Sequence, residues 1–162
     1  MTMTNKAIEL EYIDEFIQVF NATNHQHDQL KRISSTTQEK PDALCMLNNQ
    51  ITVGLETTFI MRRADTPHIS TTQVEASLAQ DPKQSTDYLR ERIQVKNQKL
   101  LNIYKPENPQ ISQFWLLMIG ASVINIQDIV QELHQQPIFL EYDRAFLYKG
   151  ICCEADLLEF RI

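Results

Sequence analysis

Hydrophobic and polar positions follow two rhythms along this chain, and the switches between them mark out its elements. Residues 5–21 repeat at helical spacing, with Ile8, Tyr12, Ile13, Phe16, Val19 and Phe20 as the apolar set. The polar stretch 24–40, which includes Ser34-Ser35-Thr36-Thr37-Gln38, predicts a loop or a short irregular connection. Two apolar runs, 42–47 and 51–61, flank Asn48-Asn49-Gln50 and predict a β-hairpin. Residues 65–83 are polar again, carry Pro67 and Pro82, and leave room for one helical turn around 74–79. A connection of that length is often functional or mobile.

Helical spacing returns over 85–104, with Ser85 as N-cap and Pro106 as the stop. The continuous apolar run 113–121 predicts a strand buried on both faces. Residues 126–134 predict a helix capped by Asn125, and 144–149 and 156–161 predict two short strands around Gly150. The order α-β-β-α-β-α-β-β predicts an α/β (α+β) fold with a mixed central sheet flanked by helices. A length of 162 residues, with no internal repeat or low-complexity tail, predicts a single domain over 1–162.

The hairpin carries the most pointed chemistry. Opposed residues in a hairpin have a constant index sum, so a turn centred on Asn49 sets Asp42 opposite Glu56; a loop one residue shorter shifts the pairing by one. Alternation puts Ile51, Val53, Leu55, Thr57 and Phe59 on one face and Thr52, Gly54, Glu56, Thr58 and Ile60 on the other. Opposed Cβ atoms lie about 4.5–5.5 Å apart, where two like charges repel unless a cation sits between them. A hard divalent ion with oxygen ligands is the natural filler. On the 85–104 helix, Leu89, Ile93, Leu100 and Ile103/Tyr104 form the inward stripe, and Lys96 falls on it while Lys99 lies at its edge. A lysine there must snorkel out or find an anion.

Composition narrows the classes. Three glycines are too few for a phosphate-cradling loop. Three cysteines give no disulfide framework: Cys45 is expected to be a buried small hydrophobe, and Cys152-Cys153 lack zinc-ligand spacing. His25-x-His27 lies in a polar loop, and His68 and His134 are isolated. No run of about 18 apolar residues would span a membrane, and the start lacks an apolar signal region, so a cytoplasmic protein with no membrane partner is expected. A net charge of −6 disfavours general affinity for nucleic acid. A local basic patch from Lys31, Arg32, Arg62, Arg63, Lys83, Arg90 and Arg92 stays open, as does a protein partner.

Pro41-Asp42, a hairpin, and Glu56-Thr57-Thr58 resemble the PD-(D/E)xK phosphodiesterase superfamily, the restriction-endonuclease-like proteins. The pattern's lysine is missing, and Thr58 stands in its place. Some members of that superfamily draw the lysine from the following helix, and by this resemblance Lys96 is the migrated lysine. An acid on the first helix is also common there, which singles out Glu9. The resemblance covers about 5–121, leaving the helix and strand pair of 125–162 outside. It implies a Mg²⁺- or Mn²⁺-dependent nuclease acting on DNA or RNA, with metal held by Asp42, Glu56 and the Thr57 carbonyl. The alternative is an inactive protein of the same fold serving as an interaction, immunity or regulatory module. Acidic charge and Thr58 at the lysine position fit that second reading.

Overall fold

A computed structural model describes residues 5–23, 28–34, 41–59, 82–119, 126–148 and 157–160. The elements run α1 (Asn5–Thr23), β1 (Leu30–Ser34), β2 (Ala43–Leu47), β3 (Ile51–Phe59), α2 (Pro82–Lys99), β4 (Gln113–Ile119), α3 (Ile126–Gln135), β5 (Arg144–Tyr148) and β6 (Leu157–Phe160). The strands form one six-stranded sheet in sequence order. β3–β4 and β4–β5 pair in parallel, and the other neighbours are antiparallel. A mixed sheet with helices on both faces is the expected α+β class.

The two faces bury separate cores. On one, Ile13, Phe16, Ile17 and Phe20 of α1 meet Val53, Leu55, Trp115, Leu117 and Phe146. On the other, Leu89, Ile93 and Leu100 meet Phe114, Leu116, Met118 and Leu147. Alternation along each strand sends successive side chains to opposite cores. β4 is buried on both sides because it is central and parallel to both neighbours, as its unbroken apolar run predicts.

Three details depart from the sequence reading. The 24–40 stretch contains a strand, β1, whose Lys31, Arg32 and exposed Ile33 hide its alternation because it is an edge strand. The second helix opens at Pro82, not at a Ser85 cap; proline suits a first helical turn because its missing N–H is unneeded there. It also does not end before Pro106. It continues through a π-turn, Leu100–Tyr104, in which the Lys105 N–H donates to the Leu100 carbonyl, and a last short turn, Lys105–Glu107. That wider turn lies just ahead of the proline, whose ring would otherwise crowd the carbonyl four residues back. The expected helical turn at 74–79 and the Asn125 cap lie outside the described residues.

The hairpin forms in the expected register. Ala43 pairs Leu55 and Leu47 pairs Ile51, so Asp42, one residue beyond, comes opposite Glu56. The Gln50 N–H donates to the Leu47 carbonyl at 3.1 Å, and Asn48 and Asn49 both take positive φ, 54° and 58°. Asparagine tolerates that region, which a type I′ hairpin turn requires at both central positions. No helix among the described residues is long and apolar enough to cross a membrane.

Candidate functional site

The site lies where β3 outruns β2. β2 begins at Ala43, and β3 continues to Phe59, so strand pairing on that side stops at Leu55. Asp42 takes over where the ladder ends. Its Oδ2 accepts the Thr57 N–H at 2.8 Å and the Thr57 hydroxyl at 2.8 Å. Pro41 seats the turn into the strand: it is buried, and its ring packs where Gly54 has no side chain. A Cβ on Gly54 would lie 2.8 Å from Pro41 Cγ and 3.0 Å from Phe114 Cδ1.

Glu56 faces α2 and is buried at 2% exposure. Lys96, on the inward stripe as expected, brings its Nζ to 3.3 Å from Glu56 Oε1. Both side chains are nearly closed off from solvent, so this is a buried ion pair rather than a snorkelling lysine. Glu56 Oε2 is buried with no hydrogen-bond partner. Glu9, partly buried, stands near enough to Asp42 and Lys96 to feel both charges. Asp42, Glu56, Lys96 and Glu9 are thus brought together from α1, the hairpin and α2.

Burial pushes the Glu56 carboxyl up to about 8, and the facing Asp42 carboxyl adds to the rise against the opposing Lys96 ammonium and Tyr104 hydroxyl. Burial also disfavours charge on Asp42, but Glu56, the two Thr57 donors and Lys6 outweigh it and hold Asp42 below its ordinary value. The two carboxyls are thereby set apart, Glu56 taking up a proton more readily than Asp42. Glu9 is raised by burial and then by Asp42, against Lys6 and Lys96.

Sequence reasoning missed three members of this cluster. Lys6 Nζ donates to the Asp42 carbonyl at 2.9 Å and sits 3.4 Å from Asp42 Oδ1 and 3.7 Å from Glu9 Oε2. Its signal was present, since Lys6 precedes Glu9 by one helical turn. The Tyr104 and Tyr142 hydroxyls are held protonated by burial and the nearby carboxyls. Tyr142 donates to the Lys96 carbonyl at 3.1 Å and so braces the lysine's backbone. Nothing local in the sequence marks Tyr142, which comes from the segment before β5.

The basic patch is only partly realised. Arg92 Nε donates to Thr58 Oγ1 at 3.2 Å, which brings a cation to the residue standing at the motif lysine. Arg32 is instead bound to Asp14 at 2.8 and 3.0 Å, and Arg90 donates to the Glu132 carbonyl of α3. Lys31 and His134 are exposed. Cys45 is buried, and burial pushes its thiol up to about 12, as suits an inert core position. Arg62, Arg63, His25, His27, His68, Cys152, Cys153 and the Lys83 side chain lie outside the described residues.

Among the described residues no group of three or more His, Cys, Asp or Glu is arranged to hold a metal ion. Two carboxylates and a main-chain carbonyl are nonetheless the donor types that Mg²⁺ takes, since it commonly keeps several waters and binds through one or two carboxylates. The unpartnered Glu56 Oε2 is the observation that favours this fit. Comparison with known proteins gives no match: no family model, curated protein or solved structure corresponds to this chain.

Proposed function

We propose that this protein is a metal-dependent phosphodiesterase acting on DNA or RNA, with the restriction-endonuclease-like arrangement that its hairpin resembles. The observation that carries the reading is the convergence of Asp42, Glu56 and a buried Lys96, with one Glu56 oxygen unpartnered. The element order α1-β1-β2-β3-α2-β4 supports it, because that core is helix, three strands, helix, strand.

Asp42, Glu56 and the Thr57 carbonyl would hold Mg²⁺ or Mn²⁺. When bound, such an ion polarises the phosphate and lowers the pKa of a water. Thr57 fixes Asp42 through Oδ2, which leaves Oδ1, now beside Lys6, as its ligand oxygen. Lys96 orients the attacking water or stabilises charge developing at phosphorus. Its position is fixed by the Glu56 pair and by Tyr142 behind its backbone. Glu9 adds negative charge at the rim.

One observation favours the second reading, an inactive protein of this fold that binds a partner. Lys6 and Lys96 already balance Asp42 and Glu56. A nuclease assay on single- and double-stranded DNA and RNA, with Mg²⁺ and Mn²⁺, separates the two. Cleavage is expected for the parent and for Lys99→Met, whose lysine is exposed. It should be lost in Asp42→Ala and Lys96→Met. No cleavage by the parent with either metal leaves the partner-binding reading, and cleavage by Lys96→Met removes the lysine's role.

A further inference from the structure

The two lysines of the site are held differently. Lys96 pairs with Glu56 through Oε1 alone, is 9% exposed in its side chain, and leaves Oε2 open. Lys6 is 38% exposed in its side chain and sits among oxygens only: the Asp42 carbonyl, Asp42 Oδ1 and Glu9 Oε2. This cradle of one carbonyl and two carboxylate oxygens is the donor type that a hard divalent ion takes.

Competition is decided oxygen by oxygen. Asp42 Oδ2 is committed to the Thr57 N–H and hydroxyl, so only Oδ1 can turn to an incoming ion. Lys6 occupies Oδ1, whereas Lys96 does not occupy Glu56 Oε2. Lys96 pairs at the Glu56 oxygen away from the one left for an ion and can remain in place, whereas the Lys6 ammonium would share Oδ1 with a divalent cation and is driven off by like-charge repulsion. A half-exposed side chain on the first turns of α1 has open solvent to withdraw into.

We propose that Lys6 is a placeholder cation that occupies Asp42 Oδ1 and Glu9 and is displaced by Mg²⁺ or Mn²⁺, so that it sets the metal affinity of the site. This inference rests on the metal-site reading of the preceding section. It makes Lys6 a competitor, opposite in effect to Lys96, whose ion pair persists in the loaded protein.

Titration calorimetry of the full chain with MnCl₂ tests it, with folding checked by circular dichroism. Lys6→Met removes the charge and keeps much of the stem. It should bind Mn²⁺ roughly two- to five-fold more tightly than the parent, the worth of one partly exposed ion pair. Lys6→Arg, which keeps a cation at the cradle, should return toward the parent value. Asp42→Ala should lose binding. If the parent binds Mn²⁺ and Lys6→Met binds equally or more weakly, the placeholder role is overturned while the metal site stands. If the parent, Lys6→Met and Asp42→Ala all fail to bind, the metal site itself is wrong and the placeholder falls with it. Binding by Lys6→Met alone supports the proposal in its strongest form.

Discussion

The two faces of the sheet are made by the same strands and do different work. The α1 face is apolar and aromatic apart from Thr57: Phe16, Phe20, Trp115 and Phe146 interlock with ring centroids 5.0–5.9 Å apart. The guanidinium of Arg144 closes this cluster from the edge, 4.6 Å from the Trp115 ring, and pairs with Glu159 at 2.7 Å. The α2 face buries a comparable apolar set but interrupts it with Glu56, Thr58 and Lys96. Buried charge costs free energy unless it is paired, and one oxygen of Glu56 is not. The contrast teaches that the α1 face carries stability, and that the α2 face gives up part of its own to hold a polar cluster.

Breaking the aromatic face should have the largest effect. Trp115 is fully buried, and Trp115→Ala should cost about 3–5 kcal/mol in urea denaturation. A loss below about 1 kcal/mol would mean that α1 does not dominate stability.

The site face should respond to pH instead. Glu56 has a folded pKa of about 8, above its ordinary 4.5. A raised folded pKa means that the folded state binds the extra proton. Glu56 therefore contributes stability fully below pH 4.5, and that contribution is lost as pH rises through about 8. In EDTA the parent should lose up to about 1.4 kcal/mol per pH unit across that window. Glu56→Gln should flatten the slope, matching the parent near pH 5 and exceeding it near pH 8. Asp42, whose pKa is lowered, acts in the opposite sense, losing its stabilisation as pH falls below its ordinary 3.8, outside this window. Parallel pH profiles for parent and variant would show Glu56 to be an ordinary ionised acid.

Gly54 tests how the site face is assembled. Gly54→Ala places a Cβ against Pro41 and Phe114 and should cost about 1–3 kcal/mol. Because Pro41 precedes Asp42, the variant should also weaken Mn²⁺ binding, which a calorimetric titration reads. Unchanged stability and affinity would show that the hairpin end adapts freely.

The turn should give the smallest change. Asn49 is exposed with φ 58°, and Asn49→Gly should be neutral or stabilise by up to about 1 kcal/mol in the same denaturation assay. Asn48→Gly should not gain, because Asn48 Oδ1 accepts the Gln29 N–H at 2.7 Å and its Nδ2 donates to Asp28 at 3.0 Å.

The sequence by itself determined the features with short-range periodicity. The hairpin register was legible because alternation and a turn centred on Asn49 leave little freedom in pairing, and that register alone brings Asp42 opposite Glu56. The inward position of Lys96 was legible because helical spacing ties it to Ile93 and Leu100. Edge strand β1 was not, since half of its pattern faces solvent and reads as loop. Nor was the continuation of the second helix past Pro106, because a π-turn has no local signature that outweighs a proline. Only the tertiary structure decided that α1 delivers Glu9 and Lys6 to the end of the hairpin, that Tyr142 braces Lys96, and that Asp42 gives Oδ2 to Thr57. Those contacts join residues 15 to 46 positions apart. Their partners are selected by which helix covers which sheet face and by where β2 stops short of β3, and no periodicity along the chain encodes either.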